Sequence, residues 1–255
     1  MTRHPLAALG LSAVLCVCGA GGQAAEVKVM AANALKDAYL ELVPAFEKAT
    51  GHKVTTVWSG TEAIARRVAA GEAVDVVLVA APSVDRLIAA GRLAPGSRTD
   101  FAKSGVGVAV RAGLPRPDIS SGQALKRSVL AAGSIAYSSG PSGFYLEELF
   151  KRMGIADQIA HKVKQPASGV QVADLLARGE ADLGFQQVPE LLHAKGVDYL
   201  GALPPEIQNV TVYAGGVHVA AASPDAAGAL LRALAAPQAA PILRRIGMEP
   251  AGTAP

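Results

Sequence analysis

The stretch Val27-Lys28-Val29-Met30-Ala31-Ala32-Asn33-Ala34-Leu35 decides how this chain is read. Val27 and Val29 flank Lys28 in the alternation of a strand, and Ala31-Ala32-Asn33 is a small polar turn. Residues 34–50 follow with helical spacing and are closed by Gly51, the residue type that ends helices most readily. Strand, short turn and helix make the repeating unit of an α/β fold, and the same grammar returns down the chain. Residues 54–58 read as a strand before a helix over 61–70. Val74-Asp75-Val76-Val77-Leu78-Val79 is a buried strand before a short helix over 84–90, and 106–110 is again strand-like. A second block has a strand at 134–137, helices at 143–153 and 170–179, and strands at 181–186 and 198–200. Residues 210–221 form a long apolar strand, with helices over 225–235 and 237–246.

The fold class is therefore α/β. The strand-like stretches at 106–110 and 210–221 flank the second block, which predicts two chain crossings between two lobes. The first lobe takes 26–105 and 215–255, the second 106–214. No fixed-period repeat or low-complexity linker interrupts them. The alanine-rich stretches read as helix packing.

Composition removes several function classes. Of 255 residues, 51% are hydrophobic and 18% charged, which excludes a disordered or highly charged scaffold. Aromatics are 4% and the net charge is +3 without a Lys/Arg block, so neither stacking platform nor electrostatic footprint for nucleic acid is present. The first 25 residues have the three parts of a cleavable export signal. Arg3 and His4 precede an apolar run over 6–17, and the small residues 19–25 follow, placing cleavage after Ala24 or Ala25. The apolar run is shorter than the ~20 residues a membrane span needs. Lipoprotein processing at Cys16 or Cys18 is disfavoured by Leu15 and Val17 before them. Both cysteines leave with the signal, so the mature chain has no disulfide, thiolate metal site or cysteine nucleophile. The expected destination is a bacterial periplasm, and the expected state a monomer.

Chemistry concentrates in four turns between a strand and a helix: Ala31-Ala32-Asn33, Trp58-Ser59-Gly60-Thr61, Ser138-Ser139-Gly140-Pro141-Ser142-Gly143 and Ala167-Ser168-Gly169-Val170. A helix start offers free backbone N–H groups and a partial positive charge, which bind an anion without a formal cation. Each turn alone reads more readily as an ordinary helix cap formed by Asn33, Ser59, Thr61 or Ser142 than as a ligand loop. The turn at 138–143 exceeds what a cap needs, yet it is neither a P-loop nor a dinucleotide fingerprint. Enzyme signals are sparse. There is no Gly-x-Ser-x-Gly elbow, and His52, His161, His193 and His218 lack metal-ligand spacing. His52 after Gly51 is expected to face solvent, and His218 to be a core or cleft histidine. Glu62 sits in a helix first turn, where a carboxylate favours the dipole. No metal and no cofactor is expected.

The turns and their order resemble the molybdate-type periplasmic solute-binding proteins of ABC transporters. The matching pieces are Val29-Met30-Ala31-Ala32-Asn33-Ala34-Leu35, Ile64-Ala65-Arg66-Arg67-Val68-Ala69-Ala70-Gly71 and Ala73-Val74-Asp75-Val76-Val77. They continue with Pro141-Ser142-Gly143-Phe144-Tyr145 and Leu176-Ala177-Arg178-Gly179-Glu180-Ala181-Asp182-Leu183-Gly184. The resemblance spans nearly all of the mature chain. It implies a two-lobed type II periplasmic binding fold that closes on a small anionic ligand in a cleft between lobes and docks on an ABC permease. By this resemblance the ligand loops hold Asn33, Ser59-Gly60-Thr61, Ser142-Gly143, Val170 and Gln187. The family's first-loop serine falls on Asn33, and the tyrosine that completes its molybdate shell falls on Gln187. Exchanging hydroxyls for amides suits a larger or flatter anion, such as a polycarboxylate.

The aconitate isomerase branch of the same superfamily is also similar, through the Gly-Pro-Ser-Gly turn and Gly184-Phe185-Gln186-Gln187. Two readings follow. The first is a transport-linked binding protein for an oxyanion or polycarboxylate. The second is a periplasmic isomerase of cis- and trans-aconitate, which needs a base beside an allylic carbon. Tyr145, His218, Glu62 and Glu190 are the candidates for that base, and Arg66 and Arg67 are the cations nearest a ligand loop. A transcription regulator's sensing domain is disfavoured by the export signal.

Overall fold

The computed structural model describes residues 24–252 apart from Ser168. Most of the expected export segment, with Cys16 and Cys18, lies outside the described residues, as does Ser168 of the fourth turn.

Two lobes share one continuous run of strands. The first opens with β1 (Glu26–Ala32), a 3-10 turn (Asn33–Leu35), α1 (Lys36–Thr50), β2 (Lys53–Ser59), α2 (Thr61–Ala69), β3 (Val76–Ala80) and α3 (Ala81–Ala89). The thirteen-residue β4 (Thr99–Arg111) leads away from it. The second lobe holds α4 (Gly122–Ala131), β5 (Ile135–Tyr137), α5 (Pro141–Arg152), α6 (Ala156–Ile159), β6 (Val163–Lys164), α7 (Val172–Ala177), β7 (Leu183–Gln187), α8 (Val188–Leu192) and β8 (Val197–Ala202). The chain returns through β9 (Val210–Val217) to α9 (Pro224–Ala235), α10 (Ala240–Arg245) and β10 (Glu249–Pro250).

Strand order is β2-β1-β3-β9-β4-β7-β5-β6, with β8 and β10 also pairing to β4. Every residue of β3 is buried, as expected of a strand between β1 and β9 with helices over the sheet. The first half of β4 pairs with β9 and the second half, from Val106 onward, with β7 and β8. One strand therefore belongs to both lobes. Gln208 pins the crossing: its Oε1 accepts from Val106 N–H at 2.8 Å and its Nε2 donates to the Val106 and Leu203 carbonyls.

The core divides likewise. Val29, Leu78, Phe101, Tyr213 and Leu231 belong to one apolar cluster, and Val108, Leu146, Phe150 and Phe185 to another. Gly215 in β9 serves the first of these. A Cβ there would meet Leu231 at 2.2 Å and Leu78 at 2.8 Å, so only glycine lets α9 close on the sheet.

Several expected boundaries move for identifiable reasons. The strand at 106–110 is the second half of β4, whose first half alternates with polar residues. The strand expected over 210–221 ends at Val217. Beyond it the chain wraps Asp75, which accepts from Lys28 N–H and Ala222 N–H, both at 2.7 Å. Those bonds also delay β3 to Val76. The helix expected over 170–179 is confined to Val172–Ala177, and the last helix begins as a 3-10 turn at Pro237–Ala239. The sequence reading places no helix at α4, α6 or α8. His52 does not face solvent freely: its Nδ1 accepts from Ala25 N–H at 3.1 Å and its ring lies 5.9 Å from Phe46.

Candidate functional site

A cleft opens where the strand-to-helix turns of the two lobes meet. From the first lobe come Ala32, Asn33 and Ala34 after β1, and Gly60, Thr61 and Glu62 at the start of α2. The second lobe supplies Ser138 to Ser142 at the start of α5, then Pro166, Ala167, Gly169 and Val170. Gln186, Gln187 and Glu190 complete the second-lobe wall, beside Tyr213 of β9. Of the expected ligand residues, Asn33, Gly60, Thr61, Ser142, Val170 and Gln187 are thus brought together. Ser59 and Gly143 are not in the lining.

The structure rejects the plain capping reading for these turns. The residue capping α2 is Gly60 and that capping α5 is Gly140, and neither helix start receives a side-chain cap bond. Ser121 at the start of α4, away from the cleft, does cap, accepting from Ala124 N–H at 3.2 Å. The first-turn amides of α2 and α5 therefore remain as donors at the cleft wall. Ser142 is buried and its hydroxyl lies 3.1 Å from that of Ser138. Gly143 acts from behind: a Cβ on it would fall 1.6 Å from the Ser138 carbonyl oxygen, so the tight turn of donors exists only with glycine here.

Asn33 spans the cleft. Its Nδ2 donates to the Gly169 carbonyl at 3.2 Å, a direct bond between the lobes. Gln187 is almost fully buried, and its amide serves the crossing strands. Turned so that both ends are satisfied, its nitrogen donates to the Ser104 and Gly105 carbonyls at 3.2 Å and its oxygen accepts from Thr211 Oγ1 at 3.0 Å.

No lysine or arginine lines the cleft among the described residues. Arg66 is exposed, and Arg67 forks onto Glu72, so neither of these expected cations reaches the ligand loops. Two carboxylates do line it. Glu62 is held by Arg86 at 2.9 and 3.1 Å and by the Ser83 hydroxyl at 3.3 Å. Among the described residues, no cation pairs with Glu190. It accepts from Gln186 Nε2 at 2.8 Å, and from Gln171 and the Gln187 backbone N–H. Burial, helped by the charge of Asp37, pushes the Glu190 carboxyl up to about 7. Tyr213 is buried and its phenol is held well above its ordinary value, by burial and by the charge of Glu190.

The other two candidate bases lie elsewhere. The Tyr145 hydroxyl donates to the Ile207 carbonyl at 2.7 Å, beside the second core. His218 lies just past the end of β9, with Nδ1 accepting from Ala220 N–H at 3.1 Å. Sequence reasoning missed Tyr213 altogether, and Gln186 entered it only within the Gly184-Phe185-Gln186-Gln187 segment, not as a site residue. A lone tyrosine in the apolar run at the return crossing was the available signal for the first.

A family model described as bacterial extracellular solute-binding protein matches residues 27–249. The chain belongs to this solute-binding family. Its resemblance to the molybdate-type members is borne out. The solute-binding chain is 31% identical over 180 residues to the molybdate-binding protein ModA of Azotobacter vinelandii, covering 69% of each. It is 38% identical over 234 residues to the aconitate isomerase of a Pseudomonas species, covering 89% of this chain and 88% of that one. The solved periplasmic molybdate-binding protein of Azotobacter vinelandii superposes with a TM-score of 0.75 at 22% identity, over 90% of this chain and 99% of that one. Fold and family are therefore those of a two-lobed periplasmic solute-binding protein.

Proposed function

We propose that this protein binds a small polycarboxylate in the cleft between its lobes and interconverts cis- and trans-aconitate there. The observation that carries this reading is the relationship to an aconitate isomerase, at 38% identity along nearly the whole of both chains. The cleft supports it. Its donors are neutral and spread over two facing walls: amides at the starts of α2 and α5, hydroxyls of Thr61 and Ser142, and the Asn33 amide. Such a set suits several carboxylates better than one compact tetrahedral ion. Residues 1–25 export the chain, and it works in the periplasm as a monomer without nucleic acid.

Capture of an anion for an ABC permease is the second reading. It is favoured by the relationship to ModA and by the Asn33–Gly169 bond, which ties the lobes in the closed arrangement a permease would recognise.

One panel separates the two. Purified mature protein is heated with molybdate, tungstate, sulfate, citrate and both aconitates, and the aconitates are then followed by chromatography. Stabilisation by tricarboxylates with equilibration of the aconitates is expected. Stabilisation by molybdate alone would overturn the polycarboxylate reading, and tight aconitate binding without turnover would favour transport.

A further inference from the structure

We propose that Glu190 is the catalytic base that takes the allylic proton of aconitate and returns it to the other allylic carbon. The assignment rests on the isomerase reading and identifies the group that carries out its chemistry.

Geometry selects it. Of the four titratable candidates, Tyr145 and His218 lie away from the cleft lining, as described above. Glu62 lines the cleft but is committed to Arg86 and Ser83. Glu190 lines the same cleft and is held only by amides. Gln186 holds it at 2.8 Å, and Gln186 is itself held by Val172 N–H at 2.9 Å and by contact with Gln171 at 2.7 Å. The titratable groups facing it are Asp37 from α1 and Tyr213 from β9. The first is an acid that disfavours a second charge. The second is a phenol kept protonated, able to donate to a ligand but not to compete as base.

This environment gives a carboxyl both of its required roles. A base that must become an acid within one turnover works best when its pKa lies near the working pH, and Glu190 sits at about 7. In the forward step the Glu190 carboxylate takes one proton from the substrate methylene. The electron pair of that C–H bond spreads over the three-carbon allyl unit and onto the attached carboxylates. The Glu190 carboxylic acid then gives the proton to the opposite terminal carbon, where a new C–H bond forms. The double bond has moved, the composition is unchanged, and Glu190 ends as the carboxylate it began as. The amides at the starts of α2 and α5 stabilise the charge that gathers on the substrate carboxylates.

The test compares wild type, Glu190→Gln and Glu190→Asp for turnover, for trans-aconitate affinity by calorimetry, and for thermal unfolding. Glu190→Gln should lose on the order of 100- to 10,000-fold in kcat, with affinity kept within a few-fold. Glu190→Asp should retain the carboxylate and lose less. Wild-type kcat/KM should rise with pH through about 7, and the residual rate of Glu190→Gln should lack that limb. Wild type that isomerises aconitate with a flat profile from acid to alkaline pH overturns the assignment without any variant. So does Glu190→Gln turning over within ten-fold of wild type, and in both cases the isomerase reading stands. Wild type that binds aconitate and never isomerises it overturns the isomerase reading, and the role of Glu190 with it.

Discussion

The two walls of the cleft each carry a glutamate in the first turn of a helix, and the two are treated in opposite ways. On the first-lobe wall, Glu62 opens α2 and meets Arg86 across a partly exposed gap, with side-chain exposures of 28% and 58%. On the second-lobe wall, Glu190 opens α8 among the amides of Gln171, Gln186 and Gln187. Both are glutamates in a helix first turn, the second residue of α2 and the third of α8, and their company differs. Glu62 is tied to a cation, whereas burial among neutral donors leaves the charge of Glu190 negotiable. A cleft lined by no lysine or arginine among the described residues thus keeps one glutamate able to exchange a proton with a bound ligand.

Breaking the contrast should give its largest effect in catalysis. Glu190→Gln removes the proton carrier and should cost turnover by the factor given above, while Glu62→Gln should stay within a few-fold of wild type in the same assay. Comparable losses in both would erase the distinction.

The next effect is in stability against pH. Glu190 is raised from 4.5 to about 7 on folding, so the folded chain binds more protons than the unfolded one between those values. Its contribution is fully present below pH 4.5 and is lost as pH rises through 7. The loss is on the order of 3 kcal/mol. Denaturant titrations should find Glu190→Gln more stable than wild type at pH 8, with the difference vanishing toward pH 4.5. A constant difference would mean that the carboxyl is not held as described.

A smaller effect belongs to the bond joining the walls. Asn33→Ala removes the donor to the Gly169 carbonyl, worth about 1 kcal/mol, and should weaken trans-aconitate roughly five-fold in calorimetry. Unchanged affinity would show that the Asn33 bridge plays no part in closure. Smallest of all, Glu62→Gln removes one negative charge at a partly exposed site and should tighten the anion about two-fold at low salt, the gain shrinking as salt is added.

Much of this was legible along the chain. The turn after Val27-Lys28-Val29-Met30 and the one after Val54 to Trp58 announce themselves locally, through alternation followed by helical spacing and a closing glycine. The Ser138 to Gly143 turn is conspicuous because its Gly, Pro and Ser density exceeds what a cap needs. Gln187 shows the limit of a resemblance: the position lines the cleft as expected, but its amide is spent on Ser104, Gly105 and Thr211 of the crossing strands. The first half of β4 was hidden because Thr99, Asp100, Lys103 and Ser104 break its apolar pattern. What singles out Glu190 was not legible at all. It depends on Gln171, Asp37 and Tyr213, which three separate elements bring to one place.

The most direct test of the central claim is a proton NMR time course of wild-type protein with cis-aconitate in deuterated water. Trans-aconitate should accumulate to equilibrium at a rate proportional to protein, with deuterium entering the methylene carbon whenever the acid form of Glu190 exchanges with solvent before returning its proton. Cis-aconitate that binds, yet keeps both its geometry and its methylene protons, would contradict the account.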